Sequence, residues 1–184
     1  TWSARSSPSS HGYINVAYGN GTFVAVDSSG YADAVALSSD GITWSAKSVS
    51  ADGWGSVTYG NGRFVVASFN GTYRIMYSTN NGASWNNSTS ITTGYTLYGV
   101  TYGNGVFVAV SGDGAAFTST DGANWTPQSS ADGAWRDVTY GNGTFVAVGA
   151  QTGATYRIMT SSVTTTTAIY NFQVNGYGAA SVGT

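Results

Sequence analysis

The sequence predicts an all-β chain built from four copies of one antiparallel meander, and three observations carry that reading. A Tyr-Gly-Asn-Gly string recurs at Tyr18, Tyr59, Tyr102 and Tyr140, at spacings of 41, 43 and 38 residues. Each copy leads into Phe and a β-branched run, as in Phe23-Val24-Ala25-Val26 and Phe107-Val108-Ala109-Val110. No segment carries the apolar period of a helix, and only two prolines interrupt the 184 residues.

The elements follow in order within each repeat. The first strand is an alternating stretch such as Trp54-Gly55-Ser56-Val57-Thr58-Tyr59. Asn-Gly then reverses the chain, because a type I′ turn needs positive φ at both central residues and these two tolerate it best. The Phe-led run is the second strand. A third is clearest in Tyr73-Arg74-Ile75-Met76-Tyr77 and its near copy Tyr156-Arg157-Ile158-Met159. A second turn follows, ending in tryptophan: Ser38-Ser39-Asp40-Gly41-Ile42-Thr43-Trp44, then Ser78 to Trp85, then Ser119 to Trp125. There Asp or Asn caps its own turn and Gly adopts what other residues avoid. The tryptophan opens the fourth strand. Four strands in roughly 40 residues is the size of one propeller blade, so residues 1–162 are expected to form a four-bladed β-propeller.

Closure of the ring is expected from the N-terminus. Trp2, Trp44, Trp85 and Trp125 are spaced 42, 41 and 40 apart, and a fifth would fall near residue 166, where the chain reads Thr. Residues 1–6 match residues 43–48 almost position for position. The Trp2 strand is therefore expected to complete the last blade by hydrogen bonding to residues 157–161, which removes an open sheet edge. Residues 163–184 belong to no repeat and read as a C-terminal extension. Within it Ala168-Ile169-Tyr170-Asn171-Phe172-Gln173-Val174 alternates as a strand does, and Asn175-Gly176 marks a turn. Residues 169–174 are expected to be ordered by a neighbouring subunit or by the outer surface of a blade. A linker to another domain is the second reading of this tail.

Composition narrows the function classes. Charged residues make up 8% of the chain, against about 25% in ordinary domains. There is no glutamate, the net charge is −2, and no basic run offers a footprint for nucleic acid. The surface must then be Ser, Thr, Asn, Gly and Tyr, as on extracellular and virion-surface proteins. No apolar stretch is long enough to span a membrane as a helix, and without cysteine there are no disulfides or thiolate metal sites. Starting at Thr1, the chain is expected to be processed or part of something longer.

The tryptophan turns resemble the Asp-box repeat of sialidase-like propellers, Ser-x-Asp-x-Gly-x-x-Trp. The second copy has the full length with Asn80 in place of Asp; the first and third lack one residue between Asp and Gly. The resemblance implies the propeller architecture, since in that family the box is a peripheral structural hairpin. The whole repeat is also similar to repeats of bacterial surface proteins and of phage tail or virion appendages. Sialidase chemistry is not implied. It would need an arginine triad and a tyrosine activated by glutamate, whereas Arg74 and Arg157 occupy matching repeat positions and no Glu exists.

A glycoside hydrolase could instead use two aspartates. However, Asp40 and Asp121 are turn residues, Asp52 and Asp132 recur in Ala-Asp-Gly, and Asp27, Asp33, Asp113 and Asp137 show no pairing pattern. His11, the single histidine, lacks the partners of a triad or metal site. Residues 27–33 have only a faint calcium-loop flavour. No catalytic residue, metal or cofactor is expected.

The candidate ligand residues are Tyr13, Trp54 and Trp135, which open the first strands and stand where Leu97 stands in the third repeat. Such aromatic faces suit sugars; their alternative role is packing between blades. Arg136 and Asp137 join them because they break the repeat, and a site grafted on a symmetric scaffold appears where the repeat breaks. Two functions follow: a non-enzymatic structural, decoration or attachment module of a virion or cell surface, held to neighbouring subunits through its tail, or a carbohydrate-binding propeller.

Overall fold

A computed structural model describes residues 1–92, 94–150, 157–162 and 172–173. Its regular structure is all β, in four antiparallel sheets of four strands. Sheet 1 holds β1 (Tyr13–Gly19), β2 (Thr22–Asp27), β3 (Val35–Ser38) and β4 (Ser45–Lys47). Sheet 2 repeats this with β5 (Trp54–Gly60), β6 (Arg63–Ser68), β7 (Ile75–Ser78) and β8 (Asn86–Ser88). Sheet 3 has β9 (Leu97–Gly103), β10 (Val106–Ser111), β11 (Ala116–Ser119) and β12 (Thr126–Gln128). Sheet 4 has β13 (Trp135–Gly141), β14 (Thr144–Gly149), β15 (Ile158–Ser162) and β16 (Phe172–Gln173). No helix among the described residues is long and apolar enough to cross a membrane.

The hairpins form as the sequence dictates. Asn20, Asn61, Asn104 and Asn142 all have φ of 47°, and the glycine after each is also positive, which is the type I′ geometry. In the second turn the Ser38 hydroxyl donates to Asp40 Oδ1 at 3.0 Å, and the same oxygen accepts the N–H groups of Ile42 and Thr43 at 2.8 Å. Asp121 does the same for Ala123 and Asn124. Those backbone and Ser38 bonds draw the Asp40 carboxyl down to about 2. At Asp121, burial pushes upward, yet the bonds from Asn124, Ala123 and Ser119 win and leave it at about 2. Asn80 builds its turn as a neutral amide, accepting the Ser84 N–H at 2.9 Å.

The sheets stack face to face, which is why the second strands read as unbroken apolar runs: both faces are buried. Phe64, Val66 and Met76 of sheet 2 meet Val24, Val26 and Val35 of sheet 1. The alternate residues Val65, Ala67 and Ile75 meet Leu97, Phe107 and Ala109 of sheet 3. Sheets 3 and 4 join through Val108, Val110 and Ala116 against Trp135, Phe145 and Met159. A tyrosine closes each seam. The rings of Tyr59, Tyr102 and Tyr140 lie over Gly19, Gly60 and Gly103 of the preceding sheet, so closely that no Cβ could stand there.

The closure expected from the N-terminus is not what the chain does. Residues 1–7 form no strand and Trp2 is fully exposed. The edge of β15 is instead taken by Phe172–Gln173, with Thr160 opposite Gln173 and Ser161 opposite Phe172. β1 packs on β5, β5 on β9 and β9 on β13, but among the described residues β13 makes no contact of comparable extent with β1. Residues 5–8 instead lie along sheet 1, beside Val16, Ala25 and Trp44. The tail meets its own chain at a sheet edge left vacant, and the rest of residues 163–184 lies outside the described residues.

Candidate functional site

One end of the sheet array carries the repeated hairpins and tryptophan turns; the other carries loops that differ between repeats. At the second end the register slips in every sheet, between Tyr13 and Asn15, Trp54 and Ser56, Leu97 and Gly99, and Trp135 and Asp137. The residues left unpaired by these bulges are Ile14, Gly55, Tyr98 and Arg136. A bulge re-aims the extra side chain, and this row differs in every repeat: Ile, Gly, Tyr and Arg.

It has varied into a shelf. The Arg136 guanidinium lies 4.0 Å from the Tyr98 ring centroid. Tyr98 stacks on Phe69, with centroids 5.8 Å apart and planes 17° apart, and Phe69 lies over the bulge glycine Gly55. The row thus runs across sheets 2, 3 and 4, with Arg136 exposed and both rings half-buried.

Loops behind the shelf are fixed by buried or short polar side chains. Asn70 Oδ1 accepts the Gly53 N–H at 2.7 Å, and Asp52 Oδ1 accepts the Thr72 N–H. Asp113 accepts the Thr96 N–H at 2.7 Å, which with the Ser111 hydroxyl holds its carboxyl below the usual range. Preorganised loops around a planar cation on an aromatic ring suit a carboxylate or another π-face.

The structure separates the residues singled out from sequence. Trp54 and Trp135 are fully buried at the seams, and their indole N–H groups donate to Ser50 O at 2.9 Å and Ala131 O at 3.1 Å. They pack between sheets and present no ring face outside. Tyr13 is half-buried, with its hydroxyl 3.0 Å from Ser9 Oγ. Arg136 stands on the shelf, while its neighbour Asp137 is exposed and accepts the Val138 N–H at 2.8 Å. Sequence reading missed Tyr98 and Phe69. The available signal was that the position after Trp54 and Trp135 holds a different residue type in each repeat: Ile14, Gly55, Tyr98 and Arg136.

His11 has a partner after all: it stacks on Tyr31 at 4.1 Å and approaches Asp33 at 3.3 Å. Asp27 accepts from the N–H and hydroxyl of Ser29, so residues 27–33 hold no open cation loop. Among the described residues no three His, Asp or Glu side chains gather as metal ligands.

No protein-family model matches the chain, and no curated protein does. Solved structures do. The chain is similar to YCF48 from Cyanidioschyzon merolae, with TM-score 0.64 and 14% identity over 93% of this chain and 58% of that one. It is also similar to YCF48 bound to a D1 peptide, with TM-score 0.62 and 16% identity over 90% and 56%. The computationally designed Ika4 protein matches with TM-score 0.59 and 8% identity over 82% and 91%. The chain thus spans little more than half the length of the YCF48 chains. At these identities the likeness shows the fold, which is β-propeller-like.

Proposed function

We propose that the chain is a non-catalytic attachment module on Asp-box-type blades, carried on a virion or cell surface, which holds a segment of a partner protein on the Phe69–Tyr98–Arg136 shelf. The observation that carries this reading is the shelf itself: an exposed guanidinium set on a ring at the bulge row, where the repeat varies. The likeness to YCF48, one of whose structures holds a D1 peptide, supports a polypeptide ligand on this fold. The turn and loop aspartates support a binding role too, because Asp40, Asp52, Asp113 and Asp121 already cap backbone N–H groups. The low charge and Ser/Thr-rich surface fit a virion or cell exterior.

Arg136 would take a carboxylate of the bound segment, and Tyr98 and Phe69 its neighbouring side chain. The test displays a random peptide library and a glycan array to the 184-residue protein. Peptides rich in Asp, Glu or a free C-terminus are expected to be enriched. Arg136→Ala should weaken them about 10-fold, the loss of one cation–π or charge-assisted contact, without changing the melting temperature. Glycan hits with no peptide enrichment would favour the carbohydrate-binding reading, and equal binding by Arg136→Ala would remove the shelf from the site.

A further inference from the structure

The three seams inside the chain define what each end of the array lacks. Val57, Val100 and Val138, on the face each first strand turns to the preceding sheet, are 5–6% exposed; their counterpart Val16 is 58% exposed. Tyr18, counterpart of the seam tyrosines, is also 58% exposed. At the other end Val35, Ile75 and Ala116 are fully buried against the following sheet, while Ile158 in the same place is 62% exposed. Gly141, counterpart of the three glycines that lie beneath tyrosine rings, has nothing over it. One end therefore presents an unused tyrosine and the other an unused glycine.

We infer that the exposed face of sheet 1 docks on the exposed face of sheet 4 of a second copy of this chain, repeating the internal seam head to tail. The argument is continuity with the interface the chain already makes three times. At the seam of sheets 2 and 3, Ile75 packs with Val100, Ala109 and Trp125. The open ends offer Ile158 on one side and Val16, Ala25 and Trp44 on the other, the same four side-chain types at the same repeat positions. On sheet 1 a groove of about 390 Å³ runs between Val16, Ala25 and Trp44 on one side and the chain's own Arg5–Pro8 on the other, so Ile158 and Val148 of the neighbour would enter beside this N-terminal segment or displace it. Polar pairing continues as well. Asn15 and Ser56 accept the N–H groups of Val57 and Val100 on the next sheet, and Asp137 occupies their position on sheet 4, ready for Val16 of the neighbour.

Two further facts favour a second copy over the chain's own opposite end. Among the described residues, sheets 1 and 4 make no contact of the extent that joins the other sheets. The chain also superposes on 56–58% of the YCF48 chains and, over 74% of its own length, on 42% of the designed Ika8 chain, as part of a longer array does, although it matches 91% of the shorter designed Ika4 chain. Two copies joined head to tail close with two identical contacts, whereas a non-closing contact would grow a fibre. The N-terminal segment lies at this face too, with Arg5 and Ser6 beside Val16 and Trp44. In the docked pair residues 1–6 reach the neighbour's last sheet, where they compete with Phe172–Gln173 for the edge of β15.

The chain has no cysteine, so the test is a crosslink. The double variant Tyr18→Cys/Gly141→Cys, oxidised mildly and run without reductant, should give a covalent dimer that reductant dissolves. The 184-residue protein itself should sediment as a dimer. Gly141→Leu, whose side chain has open space in the single chain, should shift it to monomer with its circular dichroism unchanged. A disulfide formed within one chain would mean a four-sheet ring and overturn the proposal, as would a monomer at tens of micromolar with no crosslink. This inference does not rest on the peptide shelf, and binding at Arg136 is a separate readout.

Discussion

Substituting Gly60 by alanine tests the tyrosine seams at a place no assembly can mask. A Cβ on Gly60 overlaps Cγ, Cδ1 and Cδ2 of Tyr102, well inside the 3.0 Å that real Cβ atoms essentially never breach. These atoms are the root of the ring, so a ring flip gives no relief; χ1 must leave its rotamer or the sheets must part. Overpacking of this kind costs about 1–3 kcal/mol, and the upper end applies because three ring atoms clash. Alanine also restricts the unfolded chain, which offsets about 0.4–1 kcal/mol. The net loss is about 2–2.5 kcal/mol, or roughly 5–10 °C in Tm for a domain of this size. Thermal and urea melts of Gly60→Ala, Tyr102→Ala and the double variant form a cycle. In the Tyr102→Ala background the Gly60→Ala cost should vanish, giving a coupling of about 2–3 kcal/mol. An equal cost in both backgrounds would show that the ring does not lie on Gly60 and would refute the seam.

Other expectations are as direct. Trp135→Ala should cost about 3–5 kcal/mol in a urea melt, the loss of a fully buried indole, whereas a folded, equally stable variant that lost glycan binding would restore the sugar-stacking role. The depressed carboxyls of Asp40 and Asp121 give a pH dependence whose sign is fixed: their stabilisation is present above the ordinary Asp value near 3.9 and is lost as pH falls towards about 2. The Asp40→Asn/Asp121→Asn variant, which copies the amide that Asn80 supplies in the second repeat, should therefore show a flatter fall in Tm between pH 6 and pH 2.5; an unchanged slope would place the acid sensitivity elsewhere.

Much of the fold was legible because its signals are local. An Asn-Gly turn demands positive φ at two residues, and few residues other than Asn and Gly supply it at little cost. The continuous Phe-led runs report burial on both faces, hence stacked sheets. Ring closure was not legible. The match of residues 1–6 to residues 43–48 says what kind of strand they resemble, not which edge they reach. That depends on whether sheets 1 and 4 meet, a property of curvature that no short motif encodes. The site was half legible. Arg136 stood out as a break in the repeat, but the aromatic surface was placed on Trp54 and Trp135 because they open the first strands. The bulge shifts the count by one, and a one-residue slip moves a side chain to the other face.

That slip separates two adjacent residues into different tasks. Arg136 is the bulged residue and leans on Tyr98 at the variable end. Asp137 is back in register opposite Val148, at the seam position where Asn15 and Ser56 reach the next sheet. Their charges are opposite and their sequence positions neighbouring, so a simple ion-pair reading would couple them. The geometry predicts independence instead. Arg136→Ala should weaken peptide capture and leave the dimer intact. Asp137→Ala should loosen the dimer, seen as dissociation at lower dilution in sedimentation, and leave peptide capture unchanged. Coupled losses in both variants would mean that shelf and seam are one surface, and the division of the repeat into a varying end and a docking face would fail.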